Sequence, residues 1–163
     1  MEVDNKRNCL WVISSEAKAV LPLKQSGKRQ WWSSVYQFNL ADGKLVKKFF
    51  LDKDSVFLND ITVGEDGTVY ATESVQNAVY RIMPGEDSLR LFVQLKPYSF
   101  INGICFTDTN GILFASSTEG IIAINITTKK FSLLPAPAAI NSGDIDGLSF
   151  AAGYFIGHQS KIL

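Results

Sequence analysis

Three stretches of the chain carry one pattern at an almost fixed interval, and this repeat restricts the fold more than any other feature. Leu58-Asn59-Asp60-Ile61 leads through Gly64-Glu65-Asp66-Gly67 to Thr68-Val69-Tyr70-Ala71-Thr72. Ile101-Asn102-Gly103-Ile104 leads through Thr107-Asp108-Thr109-Asn110-Gly111 to Ile112-Leu113-Phe114-Ala115. Ile145-Asp146-Gly147-Leu148 leads through Ala151-Ala152-Gly153 to Tyr154-Phe155-Ile156-Gly157. The polar members Asn59, Asn102 and Asp146 lie 43 and then 44 residues apart. A period of about 40–45 residues is that of a four-stranded propeller blade.

Within one period every segment reads as a strand. Ile61–Val63 and Val69–Thr72 flank Glu65-Asp66-Gly67, whose Asp-Gly pair suits a tight hairpin. Ala78–Ile82 predicts a third strand, stopped by Pro84-Gly85. Leu89, Leu91, Val93 and Leu95 alternate through a fourth. The next period repeats this with Ile121–Ile126 and Phe131–Leu134. No segment sustains a helical period. The expected fold is all-β, a partial β-propeller of about three and a half four-stranded blades.

The first 57 residues read as a degenerate unit of the same kind. Cys9–Ile13 and Val35–Phe38 align with later strands, Lys44–Leu51 adds another, and an insertion occupies residues 16–32. The chain is expected to start where that blade's innermost strand is already running. One domain over 1–163 therefore divides into a blade at 1–57, blades at 58–100 and 101–144, and an incomplete blade at 145–163. Closed propellers have four to eight blades. Either further blades or self-association is expected to complete the ring.

Composition narrows the functional classes. With 16 basic and 16 acidic side chains, the chain has no net basic face for nucleic acid or an anionic membrane. No apolar run reaches the ~20 residues of a spanning helix. Residues 1–10 carry no secretory apolar core, which points by default to the cytoplasm. Two cysteines make no disulfide framework; Cys9 and Cys105 sit among apolar strand residues and read as buried thiols.

In a propeller the starts of successive innermost strands converge at one mouth of the central channel. Asn59, Asn102 and Asp146 share that register. Two amide oxygens and a carboxylate form a hard-oxygen set suited to Ca²⁺ first, and also to Mg²⁺, Mn²⁺ or Zn²⁺. A single charge in the set implies weak affinity. The same residue types at strand starts also bond local backbone.

Phe57-Leu58-Asn59-Asp60-Ile61, Phe100-Ile101-Asn102-Gly103-Ile104 and Ile145-Asp146-Gly147-Leu148 resemble the regucalcin/gluconolactonase family of six-bladed propellers. The first motif also resembles the related paraoxonases. The resemblance covers roughly residues 3–160. It implies a divalent metal held by Asn59, Asn102 and Asp146, with Asp146 as general base in opening a lactone or sugar-acid ester. The family's remaining ligand is a glutamate in its first blade, for which Glu16 lies in the wrong register.

Other features invite plainer readings. His158 stands alone, which excludes a two-histidine metal site, and reads as a strand residue. Ser14-Ser15 and Ser116-Ser117 read as turn residues. Lys24, Lys28, Arg29, Trp31 and Trp32 make a loop that can lid the mouth, stack on single-stranded nucleic acid, or pack its tryptophans on the blade. Ile61, Val63, Tyr70, Ile104, Phe106, Phe114, Leu148 and Phe150 are the expected inter-blade core. Function thus divides between a metal-dependent lactone or ester hydrolase, a non-catalytic ligand- or protein-binding module, and an inactive incomplete product.

Overall fold

Residues 1–18, 30–51, 56–107 and 111–159 are described by a computed structural model, and their architecture is all-β. β1 (Glu2–Asp4), β2 (Cys9–Lys18), β3 (Gln30–Asn39) and β4 (Leu45–Phe50) form one four-stranded antiparallel sheet in sequence order. β5 (Leu58–Val63), β6 (Val69–Glu73), β7 (Ala78–Ile82) and β8 (Arg90–Gln94) form the second. β9 (Ile104–Thr107), β10 (Ile112–Ser117), β11 (Gly120–Asn125) and β12 (Phe131–Leu133) form the third. β13 (Ile145–Ala151) and β14 (Tyr154–Gln159) pair as a two-stranded sheet. The arrangement is a partial β-propeller, three four-stranded blades and part of a fourth. β1, β5, β9 and β13 are the innermost strands, and each packs on the next.

The first blade differs from the later ones at its start and in its β2–β3 ribbon. Its innermost strand is present: β1 pairs with β2 through Glu2↔Trp11, Val3↔Leu10 and Asp4↔Cys9. A three-residue strand leaves no readable alternation, and a 3₁₀ turn at Asn5–Arg7 replaces the hairpin found in later blades. Strand pairing also extends into both flanks of the expected insertion at 16–32. β2 and β3 stay paired from Cys9↔Asn39 out to Lys18↔Gln30, so both flanks of the segment belong to one long ribbon. Lys24, Lys28 and Arg29 lie outside the described residues. Trp32, on the ribbon, is half-exposed.

Each blade buries one face on the blade before it and one on the blade after. Alternation along each strand makes this possible, because successive side chains point to opposite faces. Trp11, Val35 and Phe49 of the first blade meet Leu58, Ile61, Val69, Ala71 and Tyr80 of the second. The second blade's other face, with Tyr70, Val79 and Phe92, meets Ile104, Leu113, Ala115 and Ile122 of the third. Cys105 and Ile121 then meet Ile145 and Leu148 of the fourth. Among the expected core residues, Ile61, Tyr70, Ile104 and Leu148 are buried. Val63, Phe106, Phe114 and Phe150 are only partly so. Tyr70–Phe106 and Phe114–Phe150 stack at 6.4 Å across the blade junctions.

The Asp-Gly hairpin does more than turn the chain. Gly64 and Gly67 close it through Gly64 N–H to Thr68 O at 2.8 Å and Gly67 N–H to Gly64 O at 2.9 Å. Gly67 sits at φ +89°, and a Cβ there would fall 2.4 Å from Arg7 Nε. Arg7 lies across this turn, held by Asp4 on one side and by Glu65 O at 2.5 Å on the other.

Candidate functional site

The starts of β5, β9 and β13 carry the repeated polar residues. Asn59 is the second residue of β5, Asn102 stands two residues before β9, and Asp146 is the second residue of β13. All three therefore stand at the starts of three adjacent innermost strands. Asn102 is buried, whereas Asn59 and Asp146 are half-buried.

Two of the three side chains meet. Asn102 Nδ2 donates to Asp146 Oδ1 at 2.7 Å, across the junction of the third and fourth blades. Asn59 turns instead toward its own blade, with Nδ2 donating to Ser74 Oγ at 3.0 Å. Each amide thus spends its nitrogen on a fixed partner and retains its oxygen as an acceptor. Two amide oxygens and one carboxylate are donor types that a hard cation takes. Among the described residues, no group of three or more His, Cys, Asp and Glu is placed to hold a metal, so a cation at this mouth depends on the amides.

The backbone around the trio is fastened by hydroxyls. Ser15, Ser74 and Ser116 each donate, at 2.6 Å, to the carbonyl of Leu58, Ile101 and Ile145 respectively. Those three carbonyls belong to equivalent positions, one residue before Asn59, Asn102 and Asp146. Ser15 and Ser116 are therefore inter-blade donors rather than turn residues. Thr72 Oγ1 adds a bond to Asn102 O at 2.5 Å. Glu73, fully buried, accepts from Phe57 N–H at 3.0 Å, Val75 N–H at 3.1 Å and Gln76 N–H at 2.6 Å. Gly103 is required by closeness: a Cβ there would lie 2.6 Å from Leu148 N and 3.0 Å from Asp146 O.

Asp60 holds the position that Gly103 and Gly147 hold in the next two repeats, and sequence reasoning passed over it. Its break from the Gly pattern was the available signal. Its Oδ1 accepts from Ile61 N–H at 2.9 Å and its Oδ2 from Ile104 N–H at 3.0 Å, joining the second blade to the third. Burial pushes its carboxyl above the ordinary range despite those bonds. Glu2, on β1, is raised by burial first and then by the Asp60 charge. Burial, with Asp60 and Glu2 adding to it, pushes the Cys105 thiol up to about 12. Cys105 is consequently a protonated, inert core residue, and Cys9 is likewise free of any disulfide. His158 lies exposed on β14 opposite Gly147.

The raised carboxyls set a sign for pH. Glu2 and Asp60 retain protons in the native chain at pH values where the unfolded chain has released them. The native state binds more protons in that window, so this contribution stabilises as pH falls through the raised pKa values and is lost as pH rises through them. Urea unfolding at successive pH values is expected to show this slope in the wild type and a shallower one in Asp60→Asn. Equal slopes in the two proteins would remove Asp60 from the account.

Comparison with known proteins follows the fold. Residues 16–152 match a family described as a repeat of unknown function (DUF6923). No curated protein matches the chain. A catalytically inactive virginiamycin B lyase from Staphylococcus aureus, solved with quinupristin, superposes with a TM-score of 0.61 at 19% identity, over 92% of this chain and 54% of that one. The selenomethionine-substituted lyase from the same organism gives 0.55 at 18% identity, over 83% and 53%. The extracellular domain of a protein described as a one-component system of B. thetaiotaomicron gives 0.56 at 16% identity, over 78% and 18%. These neighbours share the β-propeller fold, and the chain spans about half the length of the lyase structures.

Proposed function

The chain belongs to the DUF6923 repeat family, and on that footing we propose that it is a propeller module that binds a hard divalent cation at its channel mouth and opens a small lactone or ester there. The observation that carries this reading is the 2.7 Å bond from Asn102 Nδ2 to Asp146 Oδ1. It gathers the one carboxylate of the repeated trio against an amide whose oxygen is still available. The resemblance of the three motifs to regucalcin/gluconolactonase propellers supports the same assignment, with Ca²⁺ as the first cation.

A divalent cation in such a site supplies Lewis-acid polarisation of a carbonyl and acidifies water. The chain's own residues supply the rest. Asn59 and Asn102 offer neutral oxygens, and Asp146 offers the only formal charge of the trio. Its carboxylate orients water and takes a proton as the water oxygen bonds to the acyl carbon. The acyl C–O bond then breaks, and the departing alkoxide recovers the proton. The protonated Cys105 is not suited to that role.

A binding module without catalysis is the second reading, favoured by the extent to which the trio is already bonded to its neighbours. Calorimetric titration with Ca²⁺ and pH-stat assays on aldonolactones and simple aliphatic lactones separate the two. The hydrolase reading expects binding and ring opening together. Cation binding with no ring opening supports the module reading, and a folded chain that does neither removes the hydrolase reading and leaves the module reading in its place.

A further inference from the structure

We infer that Ser74 is a positioning residue for the mouth site, fixing the side-chain amide of Asn59 so that its oxygen, not its nitrogen, is left for a ligand. The inference rests on the cation reading of that site for its consequence, although not for its geometry.

One proton decides the orientation of the Asn59 amide. A serine hydroxyl has a single hydrogen to donate and lone pairs with which to accept. The Ser74 hydrogen is directed at Ile101 O, at 2.6 Å, across the junction of the second and third blades. Ser74 is buried, and its own backbone N–H is bound to Phe57 O at 3.0 Å, so its position is set from two sides. Toward Asn59 it can therefore only accept. The Asn59 group 3.0 Å away must be Nδ2, and Oδ1, the other in-plane atom of the amide, points away from Ser74. Were the amide flipped, two acceptors would face each other at hydrogen-bond distance.

Asn102 is oriented by the same logic through a different partner. The Asp146 carboxylate, only an acceptor when ionised, fixes Nδ2 of Asn102 toward itself. Ser74 does for the second blade what Asp146 does for the third, without adding charge. Ser74 also links the two blades' contributions: the hydroxyl that orients Asn59 holds the carbonyl immediately before Asn102. A cation held by both amide oxygens then meets two ligands whose orientation is already fixed, which avoids the entropy of ordering them on binding.

The test compares wild type with Ser74→Ala and Ser74→Thr, each kept well below its own melting temperature. Two quantities are read: hydrogen exchange of the Asn59 side-chain NH₂ by NMR, and the Ca²⁺ dissociation constant by calorimetry. Slow exchange in wild type, fast exchange in Ser74→Ala and slow exchange restored in Ser74→Thr is the expected pattern. The Ca²⁺ constant is expected to weaken roughly tenfold in Ser74→Ala and to return in Ser74→Thr. Unchanged Asn59 exchange in Ser74→Ala overturns the inference, as does undiminished Ca²⁺ affinity. If wild type binds no Ca²⁺ while the exchange pattern holds, the cation reading falls and the orienting role of Ser74 stands.

Discussion

Replacing Glu73 by alanine is expected to lower stability by about 3–5 kcal/mol, the largest loss foreseen for any single polar side chain here. Glu73 is fully buried at the end of β6, and its carboxylate is the acceptor for three backbone N–H groups, those of Phe57, Val75 and Gln76. Each buried donor left without a partner costs roughly 1–3 kcal/mol. Val75 is half-exposed, so water relieves part of that loss at the turn. Phe57 leads directly into β5, and there relief is less available. Glu73→Gln keeps one oxygen, Oε1, for Phe57 and Val75 and places an NH₂ opposite Gln76, so about half the loss is expected. Thermal melting checks both variants. For a chain of this size 1 kcal/mol corresponds to about 2–4 °C, so Glu73→Ala should melt roughly 10 °C lower. A shift under about 2 °C would mean that water satisfies all three donors.

Asp146→Asn is expected to separate charge from shape at the mouth. Asparagine keeps an oxygen that can accept from Asn102 Nδ2, so the fold should lose only about 0.5–1.5 kcal/mol. The negative charge is gone, and with it the main attraction for a divalent cation. Ca²⁺ affinity should fall about a hundredfold, equivalent to about 2.8 kcal/mol, and any lactone opening should fall with it. Asn59→Ala removes a neutral ligand and should weaken Ca²⁺ binding only about tenfold. Calorimetry on the three proteins checks the ranking. Equal losses in both variants would show that Asp146 acts as one more oxygen rather than as the charge of the site.

The repeat was legible because it is written in strong signals. The spacing of Asn59, Asn102 and Asp146, the Asp66-Gly67 turn and the alternation through Leu89–Leu95 each survive without knowledge of a partner strand. β7 falls on Ala78–Ile82 as read, and β8, β11 and β12 differ from the expected segments only at their ends. What escaped was chemistry decided between blades. A serine has no periodic signature, so nothing in Ser14-Ser15 or Ser116-Ser117 distinguishes a turn from a hydroxyl aimed at the next blade's carbonyl. Ser74 and Glu73 were silent for the same reason. β1 could be expected only from its place ahead of Cys9–Ile13, because three residues beside a 3₁₀ turn are too few to show alternation. At the site, the sequence could place the trio in one register, but it could not tell that Asn102 turns to Asp146 while Asn59 turns to Ser74. That choice depends on which hydroxyls already have carbonyls to serve.

The junction between the first two blades is fastened near both ends. Ser15 holds Leu58 O at the channel mouth, and Arg7 holds Glu65 O at the hairpin on the far side. One fastening would act as a pivot about which the blades could rock like the leaves of a hinge. Two, separated along the length of β5, act as a brace against that rocking. The angle from blade to blade is then set by backbone positions rather than by how well apolar side chains happen to fill the gap. Substitutions among the packed aromatics of this junction should consequently loosen the blades without reorienting them, leaving the direction in which the mouth residues point largely unchanged.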